Sequence, residues 1–376
     1  MKILLDARLY GLENAGLGRY VNNLVGKLAE IDKKNNYVIL LRKKYYDSLI
    51  LPENWKKVCV DQRHYSFAEQ FVLPSIFKLE NPDIVHFPHF NVPILYNGRF
   101  VVTIHDLLMH QQKGMDATTL SGPSYFIKRL GYGLVFKTAV KKSKVIFVPS
   151  EAIKEELIKE YDYSRDKTVV TYEGVDKKIQ SGDHFNLQKP YFVFAGNAYP
   201  HKNLARLIQA MVILNKNSNV TVSLAIASAR NNFTSRLENL IHTLKADKFV
   251  NLLGFVSDNE LGSLLTGSVG FVFPSMSEGF GLPGLEAINV GTLLLASDIP
   301  VFKEIYMNHA LYFNQLEAES IAKTMKDAMV LSGSARQKII QDGQMFVKRY
   351  SWDKMARQTL QIYEETFKKA NRTGIR

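Results

Sequence analysis

Cysteine is nearly absent from this 376-residue chain, in which Cys59 is the single example. One thiol excludes an intramolecular disulfide and a zinc site built from cysteines, and it fits a reducing compartment, so we expect a cytoplasmic protein. Long apolar runs are also missing, and none approaches the ~18 residues that a membrane-spanning helix needs. The opening residues MKILLDARL have too short an apolar part for a secretory signal and predict a first strand instead.

Acidic residues are outnumbered by basic ones, and the formal net charge at pH 7 is +12. Nucleic acid, a membrane surface or a phosphorylated metabolite would each satisfy this charge. Nucleic acid is disfavoured because no basic surface studded with aromatic residues is visible. The densest basic stretch, KRLGYGLVFKTAVKKSK at 128–144, has six basic residues and no acid. It predicts either the solvated face of a helix, which we favour, or a patch that faces anionic lipid.

The chain does contain a regular alternation of short β-rich runs with longer amphipathic runs. This pattern predicts parallel sheets covered by helices, and the length favours two domains of about 180 residues each. The polar, aperiodic segment 174–190 lies near the midpoint and predicts a linker. We therefore expect an α/β protein whose domains span 1–180 and 181–350, with a terminal helix in 351–376 that crosses back to the first domain.

Polar and glycine-rich segments cluster where the predicted strands end, which is where doubly wound folds bind ligands. In the first half these segments contain Asp6, GLENAGLGRY, His86, His89, His105 and Asp106. In the second half GNAYPHKN follows the strand YFVFA, and SMSEGFG follows the strand FVFP. For Asp6, His86 and His89, a structural role and a functional role are equally open.

The stretch FPSMSEGFGLPGLEA at 273–287 predicts a strand end, a loop and a helix that starts near residue 280. Its glycines allow close approach of the backbone to a ligand, and the first N–H groups of the helix are hydrogen-bond donors. Carboxylates at Glu278 and Glu286 would accept hydrogen bonds from vicinal hydroxyls, so the stretch suits a polyhydroxylated ligand. Taken alone, it is equally consistent with Glu278 favouring the helix dipole and Glu286 being a surface residue.

The motif E-G-F-G-L-P-x-L-E at 278–286 resembles the E-x7-E signature of the family 4 retaining glycosyltransferases, which have the GT-B fold. Nine further segments resemble the same family in the correct order: AGLGRYVNNL, PDIVHFPHF, VVTIHDL, VIFVPSEAIKEEL, VTYEGVD, FAGNAYPHKNLARLI, LGFVSDNEL, SDIPVFKEI and YSWDKMARQTLQIYEE. Within the family, EQFVLPSIF and SDIPVFKEI are most similar to bacterial mannosyl- and related hexosyltransferases that build surface polysaccharides. The resemblance implies two Rossmann-like doubly wound domains that face a central cleft.

The resemblance also implies roles for residues of the second domain, which would bind a nucleotide sugar. Glu286 would hold the ribose hydroxyls, and Glu278 would meet the donor sugar. The backbone amides near the start of the helix, at Phe280, Gly281 and Leu282, would assist Glu278. Lys202, in the segment HKN, would contact the diphosphate.

In the first domain, which would bind the acceptor, the resemblance places His105 against the donor sugar and phosphate at the reaction centre. Gly16 and Gly18 would approach the donor phosphate and the acceptor, and Arg19 would add positive charge there. The variable loop 107–124 would handle the acceptor.

The sequence departs from many relatives at two positions of the implied diphosphate site. Asn197 and His201 stand where those relatives carry arginine, which leaves Lys202 as the certain cation. Because the ordinary pKa of histidine is about 6.5, we expect the affinity for diphosphate to fall as pH rises through neutrality.

The resemblance implies a hexosyltransferase that acts beside the inner membrane on a saccharide or lipid-linked glycan. GDP-mannose is the preferred donor and a UDP-hexose is next. No D-x-D motif occurs in the chain, so we expect neither a metal nor another cofactor. A nucleotide-sugar epimerase of the same fold and a non-catalytic nucleotide-sugar-binding protein remain alternatives.

Overall fold

The computed structural model describes residues 1–111, 122–175, 187, 189–230 and 232–372. Its chain divides into two compact units. In the described part, the first unit holds residues 1–111, 122–174 and 351–372, and the second unit holds the residues from 175 to 350. The predicted boundary between residues 180 and 181 lies outside the described residues, as does most of the predicted linker.

Each unit contains one parallel sheet. The strands of the first unit are β1 (Lys2–Asp6), β2 (Asn36–Leu41), β3 (Trp55–Cys59), β4 (Ile84–Phe87), β5 (Phe100–Thr103), β6 (Val145–Val148) and β7 (Thr168–Val170). Those of the second unit are β8 (Tyr191–Ala195), β9 (Ser223–Ala227), β10 (Val250–Gly254), β11 (Gly270–Phe273), β12 (Leu294–Ser297) and β13 (Leu311–Phe313).

The helices that connect these strands follow in chain order. They are α1 (Ala15–Ile31), α2 (Lys43–Tyr46), α3 (Glu69–Glu80), α4 (Leu108–Gln111), α5 (Gly122–Lys142), α6 (Glu151–Glu160), α7 (Leu204–Lys216), α8 (Asn232–Thr243), α9 (Asp258–Gly267), α10 (Leu282–Asn289), α11 (Pro300–Tyr306), α12 (Ala318–Met329), α13 (Gly333–Phe346) and α14 (Trp352–Arg372). Short 3-10 turns occupy Leu12–Asn14, Asp162–Lys167, Pro200–Lys202 and Val347–Arg349.

Strand order reverses once in each sheet. The first sheet runs β3-β2-β1-β4-β5-β6-β7, and the second runs β10-β9-β8-β11-β12-β13. In the first sheet, β2 and β3 lie on one side of β1, and β4 lies on its other side. In the second sheet, β9 and β10 lie on one side of β8, and β11 lies on its other side. Such switch points are where loops at the carboxyl ends of parallel strands diverge and leave room for a ligand. The predicted α/β fold with two Rossmann-like doubly wound domains is confirmed.

Burial explains why the short apolar runs form central strands. In β1, Ile3, Leu4 and Leu5 are fully buried, as expected for a parallel strand that is covered on both faces. The amphipathic helix α1 turns Val21, Leu24 and Leu28 inward at helical spacing, and it packs against α14 within the first unit.

Helix α9 begins with a capping box in the sequence SDNE: the Ser257 side chain accepts from the Glu260 N–H at 3.4 Å, and Glu260 accepts from the Ser257 N–H at 2.7 Å. Among the helices of the described residues, none combines the length and the apolar character needed to cross a bilayer.

Candidate functional site

The β8/β11 switch point of the second unit brings two loops together, residues 196–203 after β8 and residues 274–281 after β11. The Met276 N–H donates to the His201 carbonyl oxygen at 2.8 Å. Asn203, in the left-handed region with φ 60°, donates from Nδ2 to the carbonyl oxygens of Pro274 at 3.1 Å and Gln315 at 2.8 Å. Asn203 thus ties the start of α7 to the β11 loop. No role was predicted for Asn203, although it directly follows the predicted ligand Lys202.

Lys202 and Glu278, which both carry predicted ligand roles, form an ion pair. The Lys202 ammonium Nζ lies 2.5 Å from the Glu278 carboxylate Oε1, and each side chain is only 12% exposed. The same ammonium lies 5.5 Å from the centroid of the Phe273 ring, which gives it a second favourable electrostatic contact. The sequence predicted each residue separately and did not predict that they pair.

Tyr306 supports the glycine turn that precedes α10. Gly281 caps this helix with φ +91°, a conformation that favours glycine, and a Cβ on it would lie 2.2 Å from the Tyr306 hydroxyl oxygen. The hydroxyl donates to the Gly281 carbonyl oxygen at 2.6 Å. A Cβ on Gly284 would also collide with it, at 2.4 Å. Both glycines are therefore required by packing against Tyr306, a contact that the sequence analysis missed because it lies in another helix.

Helix α10 begins at Leu282, whereas the sequence predicted a start near residue 280. The later start arises because Gly281, in the left-handed region, interrupts the helical backbone. Glu286 lies in its second turn and is 4% exposed, so the alternative reading of Glu286 as a surface helix residue is wrong. The Phe280 and Leu282 side chains are buried, and Phe280 packs edge-on against Tyr350 at 5.5 Å between ring centroids. With both side chains buried, the backbone amides of Phe280 and Leu282 are the groups left for a ligand, and their ligand roles stay predictions.

The two departures from the family pattern have different environments. Burial, reinforced by the neighbouring charge of Lys202, lowers the pKa of His201 to about 4. At that pKa the imidazole is neutral from pH 6 to 8, which argues against the expected loss of diphosphate affinity through its titration; the pH dependence of that affinity stays a prediction. Asn197 is half-buried and accepts from the Tyr199 N–H at 3.5 Å, within its own turn.

In the first unit, the His105 imidazole has hydrogen-bond partners on both nitrogens. Nε2 lies 3.0 Å from the Pro88 carbonyl oxygen, and Nδ1 lies 3.3 Å from the Glu173 carboxylate Oε1. The edge-on Tyr20 ring, at 4.7 Å between centroids, fixes the imidazole plane further. Sequence reasoning missed Glu173, which is 68 residues away. The role of His105 at the reaction centre stays a prediction.

Packing explains one of the two glycines predicted near the donor phosphate and does not explain the other. A Cβ on Gly18 would lie 1.8 Å from the Gly11 carbonyl oxygen, so glycine is required there by the fold. Gly16 is exposed in the first turn of α1, and a Cβ on it would meet nothing within 4 Å. Arg19 is half-buried on the same helix. Ligand roles for Gly16, Gly18 and Arg19 stay predictions.

Asp6 belongs to a buried network centred on Arg8, which the sequence analysis overlooked. The fully buried guanidinium donates to both Asp6 carboxylate oxygens, at 2.8 and 2.7 Å, and to Glu69 Oε2 at 3.1 Å. Asn91 Nδ2 donates to the other Glu69 oxygen at 2.8 Å. Although burial acts to raise the pKa of Asp6, the Arg8 charge holds it below its ordinary value. These contacts favour a structural role for Asp6.

His86 is also structural. It is fully buried, and its Nε2 lies 2.8 Å from the Thr103 hydroxyl while its Nδ1 contacts the Tyr363 hydroxyl of α14. Burial lowers the pKa of His86 to about 3, so the ring is neutral. His86 therefore fastens the last helix to the first sheet. His89 is half-buried and packs against Phe90 at 4.0 Å between ring centroids.

Two glycosyltransferase family models match the sequence of this chain. The model of the glycosyltransferase family 4 domain matches residues 15–178, and that of the group 1 glycosyl transferases matches residues 176–346. The O-antigen chain mannosyltransferase RfbU of Salmonella typhimurium is 29% identical over 293 residues, which cover 77% of this chain and 76% of the relative. The O-antigen chain mannosyltransferase B of Escherichia coli is 24% identical over 396 residues, which cover 97% of this chain and all of the relative.

Solved structures agree on the fold. Sucrose-phosphate synthase from Thermosynechococcus elongatus superimposes with a TM-score of 0.78 at 16% identity, covering 98% of this chain and 99% of that one. The chain is therefore an enzyme of the family 4 glycosyltransferases, with a family 4 domain followed by a group 1 domain in the GT-B fold.

Proposed function

We propose that this glycosyltransferase moves a hexose, preferentially mannose from GDP-mannose, to a saccharide or lipid-linked glycan. The second unit binds the nucleotide sugar and the first unit binds the acceptor. The observation that carries this assignment is the cluster of Lys202, Glu278 and the Gly281 turn at the β8/β11 switch point. The printed names of two relatives, both O-antigen chain mannosyltransferases, support mannose as the sugar.

The cluster offers groups that match the charge developed during transfer. The leaving diphosphate gains negative charge, which Lys202 and the N–H groups at the start of α10 are placed to stabilise. Glu278 and Glu286 accept hydrogen bonds from hydroxyls of the sugar and the ribose. Because Tyr306 and Asn203 hold both loops in place, these groups need little reorganisation when the donor binds.

Retention of configuration and independence of metal are part of the proposal. In a retaining reaction the acceptor hydroxyl attacks on the face that the diphosphate leaves, and a phosphate oxygen takes its proton. Lys202 supplies a positive charge at the diphosphate, and the sequence contains no D-x-D motif that would hold a divalent cation against it.

A ligand panel with a transfer assay tests the proposed function. We expect GDP and GDP-mannose to raise the unfolding temperature more than UDP, ADP or their sugars, with no change on addition of EDTA. Transfer to a mannose-containing acceptor should release GDP and form a product whose anomeric configuration, read by NMR, matches the donor. Stabilisation by UDP and UDP-glucose alone would instead make the enzyme a UDP-hexose transferase. Interconversion of sugars without an acceptor would indicate an epimerase, and binding without turnover would indicate a binding protein.

We further propose that the enzyme works at the cytoplasmic face of the inner membrane, with α5 against anionic lipid. Leu130 and Leu134 are 73% and 55% exposed, and they share one face of α5 with the exposed Lys137 and Lys141. Apolar side chains that continue into lysines suit a surface of anionic headgroups.

Sedimentation with vesicles tests this surface. We expect K137E/K141E to weaken binding to phosphatidylglycerol vesicles by about tenfold or more, because each lysine contributes about 1 kcal/mol near an anionic surface. The matched control is K323E/K326E on α12, which makes the same charge change at exposed positions of the second unit. Equal losses in both variants, or equal binding to phosphatidylcholine vesicles, would contradict the assignment.

A further inference from the structure

Lys202 is the cation that the proposed function assigns to the diphosphate, and in the structure it is paired with Glu278. The two charged atoms lie 2.5 Å apart, and both side chains are 88% buried, as the 12% exposed fraction of each shows. The exposed pair of Lys323 and Asp327 in the same unit differs sharply, with side chains 77% and 57% exposed. A pair shielded from water is a far stronger interaction than an exposed one, so diphosphate must compete with Glu278 for Lys202.

We propose that Glu278 is an exchangeable counter-ion of Lys202, which makes the site favour the intact nucleotide sugar over the nucleoside diphosphate product. This inference rests on the proposed function of the same site. It adds a specificity role to Glu278: the carboxylate responds to whether a sugar is still attached to the diphosphate.

Once the diphosphate has taken the Lys202 ammonium, the two ligands offer Glu278 different hydrogen-bond donors. A buried carboxylate that loses its cation needs other hydrogen-bond donors, or its desolvation is left uncompensated. The sugar of an intact donor supplies hydroxyl groups for this purpose. A bare nucleoside diphosphate supplies none there, and it adds negative charge beside the carboxylate.

Apart from Lys202, the described neighbours His201 and Tyr306 offer Glu278 no substitute cation. Within the described residues, Lys202 is the salt-bridge partner of Glu278. Its neighbour His201 is neutral near pH 7 because burial and the charge of Lys202 lower its pKa to about 4. The Tyr306 hydroxyl already donates to the Gly281 carbonyl oxygen at 2.6 Å. After transfer, Glu278 therefore re-pairs with Lys202, and this exchange weakens the hold on the product.

Calorimetric titration with GDP and with GDP-mannose tests the exchange. In E278Q, we expect GDP to bind about tenfold more tightly than in the wild type, because a coupling of this size is common between competing charged groups. GDP-mannose should gain less, since its sugar loses the carboxylate acceptor, so the ratio of the GDP Kd to the GDP-mannose Kd falls. Product inhibition by GDP should strengthen in parallel.

Two controls separate this effect from a general loss of negative charge. D327N on the exposed face of α12 removes the same charge and should leave both Kd values unchanged. In a K202M background, adding E278Q should strengthen GDP binding by less than it does in the wild type, because only the repulsion between the carboxylate and the diphosphate is left to relieve.

Each remaining outcome is decisive. If folded E278Q binds GDP as the wild type does, or more weakly, the exchange is refuted while the proposed function stands. If the wild type binds neither GDP nor UDP nor their sugars, the proposed function fails and the inference fails with it. Should E278Q not fold, E278D replaces it, since the shorter side chain draws the carboxylate away from Lys202, and unchanged GDP binding by E278D would likewise refute the exchange.

Discussion

Replacing Lys202 with methionine should lower kcat/KM for sugar transfer by about 10²- to 10³-fold, which is the usual loss when one preorganised group for developing charge is removed. Methionine keeps much of the length of the side chain and removes its charge at the diphosphate. The measurement is steady-state transfer at saturating acceptor, together with the GDP Kd. We expect kcat/KM to fall and the GDP Kd to rise, because Lys202 interacts with the diphosphate before and during transfer.

The matched control for this substitution is K216M at the far end of α7, the helix that begins just after Lys202. Lys216 is exposed, and about 18 Å of helix separates it from the start of α7 at 1.5 Å per residue. K216M should retain wild-type transfer and GDP binding. Equal transfer by K202M and K216M would show that Lys202 has no part in the reaction.

K202M also leaves Glu278 buried without its cation, so a loss of stability must be separated from a loss of function. The double variant K202M/E278Q removes both charges of the pair, and it should recover the unfolding temperature that K202M loses. It should not recover transfer, since the diphosphate still lacks a cation. Recovery of both properties would mean that Lys202 acts only through the fold.

Replacing Arg8 with methionine should destabilise the first unit by about 3–5 kcal/mol, the range expected when one partner of a buried ion pair is removed. Arg8 is fully buried, and its guanidinium forms ion pairs with both Asp6 and Glu69. Methionine fills part of the space and leaves two carboxylates without a cation. Because protonation would neutralise them, the loss of stability should be smaller at pH 5 than at pH 7.

Hydrogen exchange of the β1 and β4 amides is the suitable measurement, since a protein of two units need not unfold in a single step. R357M is the control, because Arg357 pairs with Asp353 at the surface, where its side chain is 63% exposed. That variant should leave the protection of these amides close to that of the wild type, because exposed ion pairs contribute little to stability. If these amides exchanged as slowly in R8M as in R357M, the network of Arg8, Asp6 and Glu69 would not contribute to the stability of the first unit.

The sequence by itself was sufficient for the fold class, because its signals are local. Runs such as KILLD and YVILL predicted buried strands, and the amphipathic stretches between them predicted helices on a parallel sheet. The capping box at Ser257 could likewise be identified from four consecutive residues. The order of short motifs indicated the glycosyltransferase family, and the site candidates Lys202 and Glu278 both came from segments that follow predicted strands.

The tertiary structure decided which of these residues meet and in what environment. Lys202 and Glu278 are 76 residues apart, and they pair because β8 and β11 are neighbours, which no short-range pattern in the sequence specifies. Packing against Gly11 accounts for Gly18, and a partner in another helix, Tyr306, accounts for Gly281. The neutral state of His201 depends on burial, which sequence spacing does not reveal. Local sequence thus determined the elements and the candidate ligands, whereas strand order and desolvation, which depend on the whole fold, determined their partners and charges.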